Sequence, residues 1–302
     1  MPSLTISVLG SLNIDWTYRV PRIPKPGETI TSHGVTSSFG GKGANQAIAA
    51  HRAGADVTMI GCLGSDDAGK RYLNALEKEG IETKELIHTD KHPTGSAVIT
   101  VDDCGENAIL VEPGANQCLT PSVVDALHRS IEAADALLMP LETPLDGVVT
   151  ASRVAKNANT QVFINPSPWT PKFMQTLVHI DHLILNEGEA ASMLGENAPI
   201  SLQTLEEFGC QSLIITRGNR STLGWDRHYG HADINTFSIS PVDTVGAGDS
   251  FAGAYAVARM EQLPFNEAIR FANAAGALAT QHTGAQEAIP DRESIEQLLA
   301  EK

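Results

Sequence analysis

The chain has 302 residues, of which 42% are hydrophobic and 19% charged, and it carries a net charge of −15. That length can bury a large core in one domain with an insertion or in two smaller ones, and the composition excludes disordered and fibrous classes. With no block of basic residues, the acidic balance excludes a broad nucleic-acid or anionic-membrane footprint, so an anionic ligand must be held by backbone N–H groups, a helix N-terminus or a metal ion.

Cys62, Cys104, Cys118 and Cys210 are far apart in sequence and form no Cys-x-x-Cys pair. They read as reduced, mostly buried thiols, with neither a zinc nor a redox motif. The segment Met1–Ile6 lacks a basic region and soon meets Asn13 and Asp15, which does not suit a signal peptide. No apolar run approaches the roughly 20 residues of a membrane span, and the expected location is cytoplasmic.

In chain order, short apolar runs suited to buried strands occur at Ile6–Leu9, Val57–Ile60, Ala136–Met139, Gln161–Ile164, His182–Leu185 and Ser212–Ile215. Between them, segments such as Lys42–Ala53 and Leu145–Lys156 carry helix formers with apolar residues three and four apart. The alternation predicts an α/β fold with a mainly parallel sheet, whose ligands sit at the C-terminal ends of the strands. Two stretches, Glu28–Ser38 and Ser96–Val111, instead alternate apolar and polar residues, with a turn at Asp102–Glu106. They predict a small antiparallel sheet, inserted early, that closes as a lid over the strand-end cleft and excludes water.

Asn13 and Asp15 follow the first strand, and the glycine-rich turn Phe39-Gly40-Gly41-Lys42-Gly43-Ala44-Asn45-Gln46 opens the helix reaching about Ala53. Together they offer hydrogen-bonding groups to a polyhydroxylated ligand; singly, each is explained as well by loop capping or a tight turn. Gly64-Ser65-Asp66-Asp67-Ala68-Gly69-Lys70 has the spacing of a phosphate-binding P-loop. It has Arg71 where a magnesium-binding Ser or Thr is required and two acids where phosphates would lie, and is dismissed. His179 and His182 flank a strand-like run and read as structural. Asn186-Glu187-Gly188-Glu189 has capping-box spacing, and also places two polar side chains where a magnesium–phosphate group could sit.

The most informative segment is Asp243-Thr244-Val245-Gly246-Ala247-Gly248-Asp249-Ser250-Phe251, which opens a helix bearing Phe251, Ala254, Val257 and Met260. Small residues at 246–248 let a ligand approach the free N–H groups of a first helical turn, a nest suited to a phosphate in transfer. Asp249 beside it is placed to accept a proton from an attacking hydroxyl. The plainer reading makes Asp249 only a favourable charge at a helix N-terminus.

Taken together, the motifs Gly40-Gly41-Lys42-Gly43-Ala44-Asn45-Gln46-Ala47 and Asp243-Thr244-Val245-Gly246-Ala247-Gly248-Asp249 resemble those of the ribokinase family of carbohydrate kinases, over about residues 4–290. The resemblance implies a three-layer α/β fold of one domain with a mainly parallel central sheet and a small inserted β-sheet lid, about 12–39 and 94–113. It implies transfer of the ATP γ-phosphoryl group to O5 of D-ribose, with another pentose, a ketose or a nucleoside as alternative acceptors and a silent sugar-binding regulator as a remote one. Asn13, Asp15, Gly41, Lys42, Asn45 and Glu142 would hold the sugar, and Asp249 would be the base, with the N–H groups of Gly246, Ala247 and Gly248 stabilising the phosphoryl charge. Asn186, Thr216, Gly218, Ser221, Gly248 and Asn273 would line the ATP site. Glu189 would act indirectly on Mg2+, and a K+-type cation would lie among Asp243, Val245, Ala279, His282, Gly284 and Ala288. A homodimer through the lid is also implied. Two departures stand out: Ser221 replaces the family's usual glycine, which predicts a rearranged loop if the position needs a positive φ, and bulky Trp16 beside Asp15 is expected to narrow or reshape the pocket.

Overall fold

In the computed structural model the described residues are 3–175, 179–195 and 201–301, so Met1 and Pro2, the start of the N-terminal segment read above, lie outside them. The chain enters through β1 (Thr5–Leu9), β2 (Asn13–Arg19), β3 (Gly34–Gly40), α1 (Lys42–Arg52), β4 (Asp56–Gly64), α2 (Asp67–Glu79), β5 (Leu86–Thr89), β6 (Gly95–Val101) and β7 (Asn107–Glu112). It continues through α3 (Pro121–Ala126), α4 (His128–Glu132), β8 (Ala136–Pro140), α5 (Leu145–Ala158), β9 (Gln161–Asn165), β10 (His182–Asn186), α6 (Glu187–Leu194), α7 (Leu202–Phe208) and β11 (Ser212–Thr216). It ends with β12 (Thr222–Asp226), β13 (Gly230–Ile234), α8 (Ala247–Met260), α9 (Phe265–Ala279) and α10 (Arg292–Glu301).

Nine strands form the central sheet in the order β13-β12-β11-β10-β9-β8-β1-β4-β5, parallel except at β11–β12 and β12–β13. Strands such as Ala136–Pro140 read as continuous apolar runs because both faces are covered. Leu138 enters the cluster shared with α1, α8 and α9, while its neighbours Leu137 and Met139 enter the opposite cluster with α5. Truncating fully buried Leu138 to Ala would cost about 2–5 kcal/mol.

A separate four-stranded sheet has the order β3-β2-β6-β7. It is mixed rather than antiparallel as expected, because β2 and β6 pair in parallel. Both follow parallel strands of the central sheet, β2 after β1 and β6 after β5, and so run outward in one direction. The first expected strand, Glu28–Ser38, is corrected to Gly34–Gly40. Pro24 and Pro26 supply no ladder donor, Gly27 turns at φ 79°, and Glu28 is tied to Arg22 and to the Lys25 N–H. The 28–32 segment is thereby held outside the ladder, which the His33 N–H joins by donating to Arg19 O at 2.7 Å. The expected crowding by Trp16 is corrected too. Successive strand residues face opposite sides, so Trp16 lies across from Ser37 and Val98 on the face away from Asp15.

The P-loop look-alike begins α2. Asp66 caps that helix by accepting from Gly69 N at 2.8 Å and also accepts from Thr94 Oγ1 at 2.7 Å. His182 is buried against Phe163, its pKa pushed down to about 3 by burial, and His179 pairs with Asp181. Cys62 and Cys210 are buried, but Cys118 is half-buried and Cys104 is exposed on the β6–β7 turn, which corrects the expectation of mostly buried thiols. No helix among the described residues is long and apolar enough to cross a membrane.

Candidate active site

The site begins with the close approach of α1 to the β1–β2 turn. Gly41 takes φ 92°, where an added Cβ would lie 2.8 Å from the Asn13 nitrogen, so the position admits only glycine. No side chain of its own caps α1. Instead Glu142, beyond the end of β8, accepts from Lys42 N at 3.0 Å and from Ser11 Oγ at 2.6 Å. The sugar-binding expectation for Glu142 therefore meets a carboxylate that also holds a helix N-terminus.

One turn further on, Asn45 and Gln46 project from α1 toward α8. Asn45 Nδ2 donates to Asp249 Oδ2 at 2.9 Å, and Gln46 Nε2 donates to Asp249 Oδ1 at 3.0 Å. Gln46 also donates to Asn165 Oδ1 at 3.2 Å, and Asn165 Nδ2 donates to Ile184 O at 2.9 Å, which fixes both amides. The cap of α8 is Gly246 at φ 77°, and Asp249 lies in the first helical turn, 6% exposed, with its oxygens turned to α1 rather than to a cap. Its remaining lone pairs, one per oxygen beyond those already used, are available to a hydroxyl proton.

Asp249 borders a cleft of about 360 Å³ that Lys42, Asn186, Glu189, Thr216, Gly246 and Gly248 also line. An added Cβ on Gly248 would meet nothing within 4 Å, so the helix start is open to the cleft at Gly248, whereas the Ala247 N–H donates to Thr244 O at 3.4 Å. The Lys42 pKa is raised by Asp249 first, against the cost of burial, and also by Glu142, Glu189 and Asp15. Asp15 is shifted toward its neutral form instead: burial first, then Glu142, push its pKa up to about 7. Burial also raises Glu189, although the Asn186 N–H opposes it. A carboxylate fixed by two amides beside a helix N-terminus and a lysine is an arrangement that could serve phosphoryl transfer to a hydroxyl.

The chain belongs to the pfkB family of carbohydrate kinases. Residues 3–292 match that family. The chain is 38% identical over 301 residues to the ribokinase of Haemophilus influenzae, covering 98% of both chains. It is 34% identical to that of Bacillus subtilis, covering 98% of this chain and 99% of the other. Its fold matches the structure of Arabidopsis thaliana ribokinase complexed with ribose and ATP with a TM-score of 0.90, at 29% identity and 99% coverage of both chains.

In this pfkB-family kinase the remaining expected positions fall into three groups. A second cleft, beside the four-stranded sheet, is lined by Asn13, Glu142 and Val111. There Asn116 Nδ2 donates to Asn13 Oδ1 at 2.8 Å, leaving the Asn13 amide nitrogen free to donate to a ligand. On the nucleotide side, Asn186 and Glu189 form a reciprocal capping box with both bonds at 2.8 Å, so the cap and a place in the cleft coexist. Gly218 turns at φ 63°, whereas Ser221 has no positive φ and is held by Arg217, so the feared rearrangement has no backbone cause. Asn273 is turned instead to β12, accepting from Thr222 Oγ1 at 2.6 Å. In the cation set, Asp243 accepts from Val245 N and Gly284 N, each at 3.0 Å, binding two loops together. Ala279 and Ala288 are buried and His282 is exposed.

Sequence reasoning missed Ser11, Asn116, Asn165, Tyr72 and Gln286. It quoted Gln46 without giving it a role, although its place beside Asn45 on the first turn of α1 was the available signal.

Proposed function

We propose that this carbohydrate kinase transfers the γ-phosphoryl group of ATP to O5 of D-ribose, giving D-ribose 5-phosphate and ADP. The observation that carries the proposal is Asp249, held by Asn45 and Gln46 at the open N-terminus of α8; the relatives named ribokinase direct the choice of sugar. As O5 bonds to the γ-phosphorus, its proton passes to Asp249 and the bond from phosphorus to the β-phosphate oxygen breaks. The amides of Gly246, Ala247 and Gly248 stabilise the negative charge of the transferring group. Asn13 and Asp15 hold ribose hydroxyls under the lid, and residues 12–39 and 94–113 close over them. ATP as donor makes the cytoplasm the proposed compartment.

Among the described residues no His, Cys, Asp and Glu cluster forms a ready metal cage, so magnesium would be held largely by the nucleotide's phosphates, with Glu189 and Asn186 beside it. When bound, it would neutralise phosphate charge. Asp243 and the turn around Gly284 fit a potassium-type ion, since a carboxylate there lies among backbone groups of two loops. The outer face of the lid, with exposed Trp16, Val35, Val98 and Leu110, is the proposed homodimer surface.

The test is kcat/KM over ribose, 2-deoxyribose, fructose and adenosine. Ribose should lead, because a site that pairs with a hydroxyl rejects the analogue lacking it. A clearly higher value for any of the others would overturn the ribose assignment while leaving sugar or nucleoside kinase activity in place.

A further inference from the structure

We propose that Gln286, outside the substrate cleft, is a positioning residue for phosphoryl transfer that sets the polarity of the hydrogen bonds reaching the base. The inference rests on Asp249 acting as that base.

Gln286 is 7% exposed, and its Nε2 donates to Asn45 Oδ1 at 3.2 Å and to Tyr72 Oη at 2.7 Å. Tyr72 is fully buried and its hydroxyl donates to the Gly40 carbonyl at 2.5 Å. A carbonyl has no proton to give, so the single phenolic hydrogen is committed there and Tyr72 can only accept from Gln286. The Gln286 amide is therefore oriented with its nitrogen inward. Its second hydrogen requires an oxygen on Asn45, which turns Asn45 Nδ2 toward Asp249 Oδ2. From Gly40 to Asp249, every donor in the chain is forced by the one before it.

The backbone around Gln286 joins this chain to the other half of the site. Arg52 Nη1 donates to Gln286 O at 3.0 Å and to Ile289 O at 2.6 Å. Gly284 N donates to Asp243 Oδ2, and the Ala285 Cα lies 3.2 Å from where a Cβ on Gly246 would stand. Three successive residues, Gly284, Ala285 and Gln286, thus touch the Asp243 loop, the anion-binding turn and the sugar-side amide. A displacement of that loop changes Asn45 through Gln286 and the α8 turn through Ala285 together.

The experiment compares Gln286→Met, which removes the polar group at similar volume, with Gln286→Glu, whose carboxylate has no N–H to offer and favours the reversed Asn45 amide. Steady-state kcat and KM for ribose and ATP are measured beside thermal stability. Positioning predicts kcat lower by about 10- to 100-fold, the range for one misdirected bond to a charged group. It also predicts the larger loss in Gln286→Glu and an ATP KM within about twofold of wild type. Folded variants with unchanged kcat, or an ATP KM that rises as kcat falls, would overturn it. If neither variant folds, Tyr72→Phe removes the polarity signal without introducing charge, and an unchanged kcat there overturns the proposal equally. Wild-type protein without ribose turnover would refute the ribose assignment instead, so the two failures are distinguishable.

Discussion

Replacing Asp249 with Asn exchanges one acceptor oxygen for an NH2 group at a position where both oxygens already accept, from Asn45 at 2.9 Å and Gln46 at 3.0 Å. Two separate losses follow. Without a proton acceptor, kcat should fall by about 10²–10⁴-fold, which at about 1.36 kcal/mol per decade is roughly 2.7–5.4 kcal/mol of barrier. In addition, the new NH2 faces a donor. Gln46 cannot turn away without abandoning Asn165, and Asn45 cannot without abandoning Gln286, so one buried donor stays unpaired. That costs about 1–3 kcal/mol of folding stability. ADP release at saturating ribose and ATP, thermal unfolding and ribose affinity should be measured on one preparation. If Asp249 were only a favourable charge at the helix start, stability would fall while kcat held. A folded variant with kcat within tenfold of wild type would refute the mechanism.

Asp15, raised to about 7 mainly by burial, carries the pH dependence. Its stabilising contribution is complete below the unfolded value near 3.8 and is lost as pH rises through about 7. Asp15→Asn should therefore gain melting temperature relative to wild type between pH 5 and pH 8, while wild-type ribose KM falls over pH 6–8 as the carboxylate becomes available to hydroxyls; a pH-independent wild-type KM would count against that role. Turnover should be faster in potassium than in tetramethylammonium at matched ionic strength, and equal rates would remove the cation site. Leu110 is 74% exposed on the outer lid face, so Leu110→Glu should shift sedimentation from dimer toward monomer, and a monomeric wild type would end the proposed interface.

The central strands were legible because burial on both faces leaves a continuous apolar run, as at Ala136–Pro140, and the runs end near the residues that matter. The lid was legible only in part. Alternation marked β6 and β7, but β2 is masked by Trp16 and Tyr18 on its outer face, and 28–33 alternates outside the strand, joined to β2 only where the His33 N–H donates to Arg19 O. Short glycine motifs announced Gly41, Asn45, Gly246 and Asp249 because a tight turn and a helix start are local demands. Gln286, Tyr72 and Asn116 lie 241, 214 and 103 positions from the residues they orient, with no local pattern to mark them. A polar side chain in an apolar context can be recognised as buried only when its partner is in view.

The charge balance of the cleft bears on how an acidic chain would bind a polyanion at the proposed site. Among the described residues Lys42 is the one basic side chain lining the cleft beside Asp249, against Glu189 and Asp249, and Asp249 is the strongest influence holding its ammonium charged. That lysine is largely neutralised by its neighbours and cannot by itself offset several phosphate charges. In the proposed mechanism, field and donors come from the α8 terminus, where the helix dipole and the backbone around Gly248 meet the cleft without adding a titratable group. This arrangement would also protect Asp249 in its proposed role as base. A cluster of lysines or arginines strong enough to hold the nucleotide would pair with Asp249 and compete for the lone pairs that must take the hydroxyl proton, whereas backbone amides a turn away leave them open. Neutral amides from Asn45 and Gln46 orient the carboxylate on the same principle, fixing its direction without a countercharge.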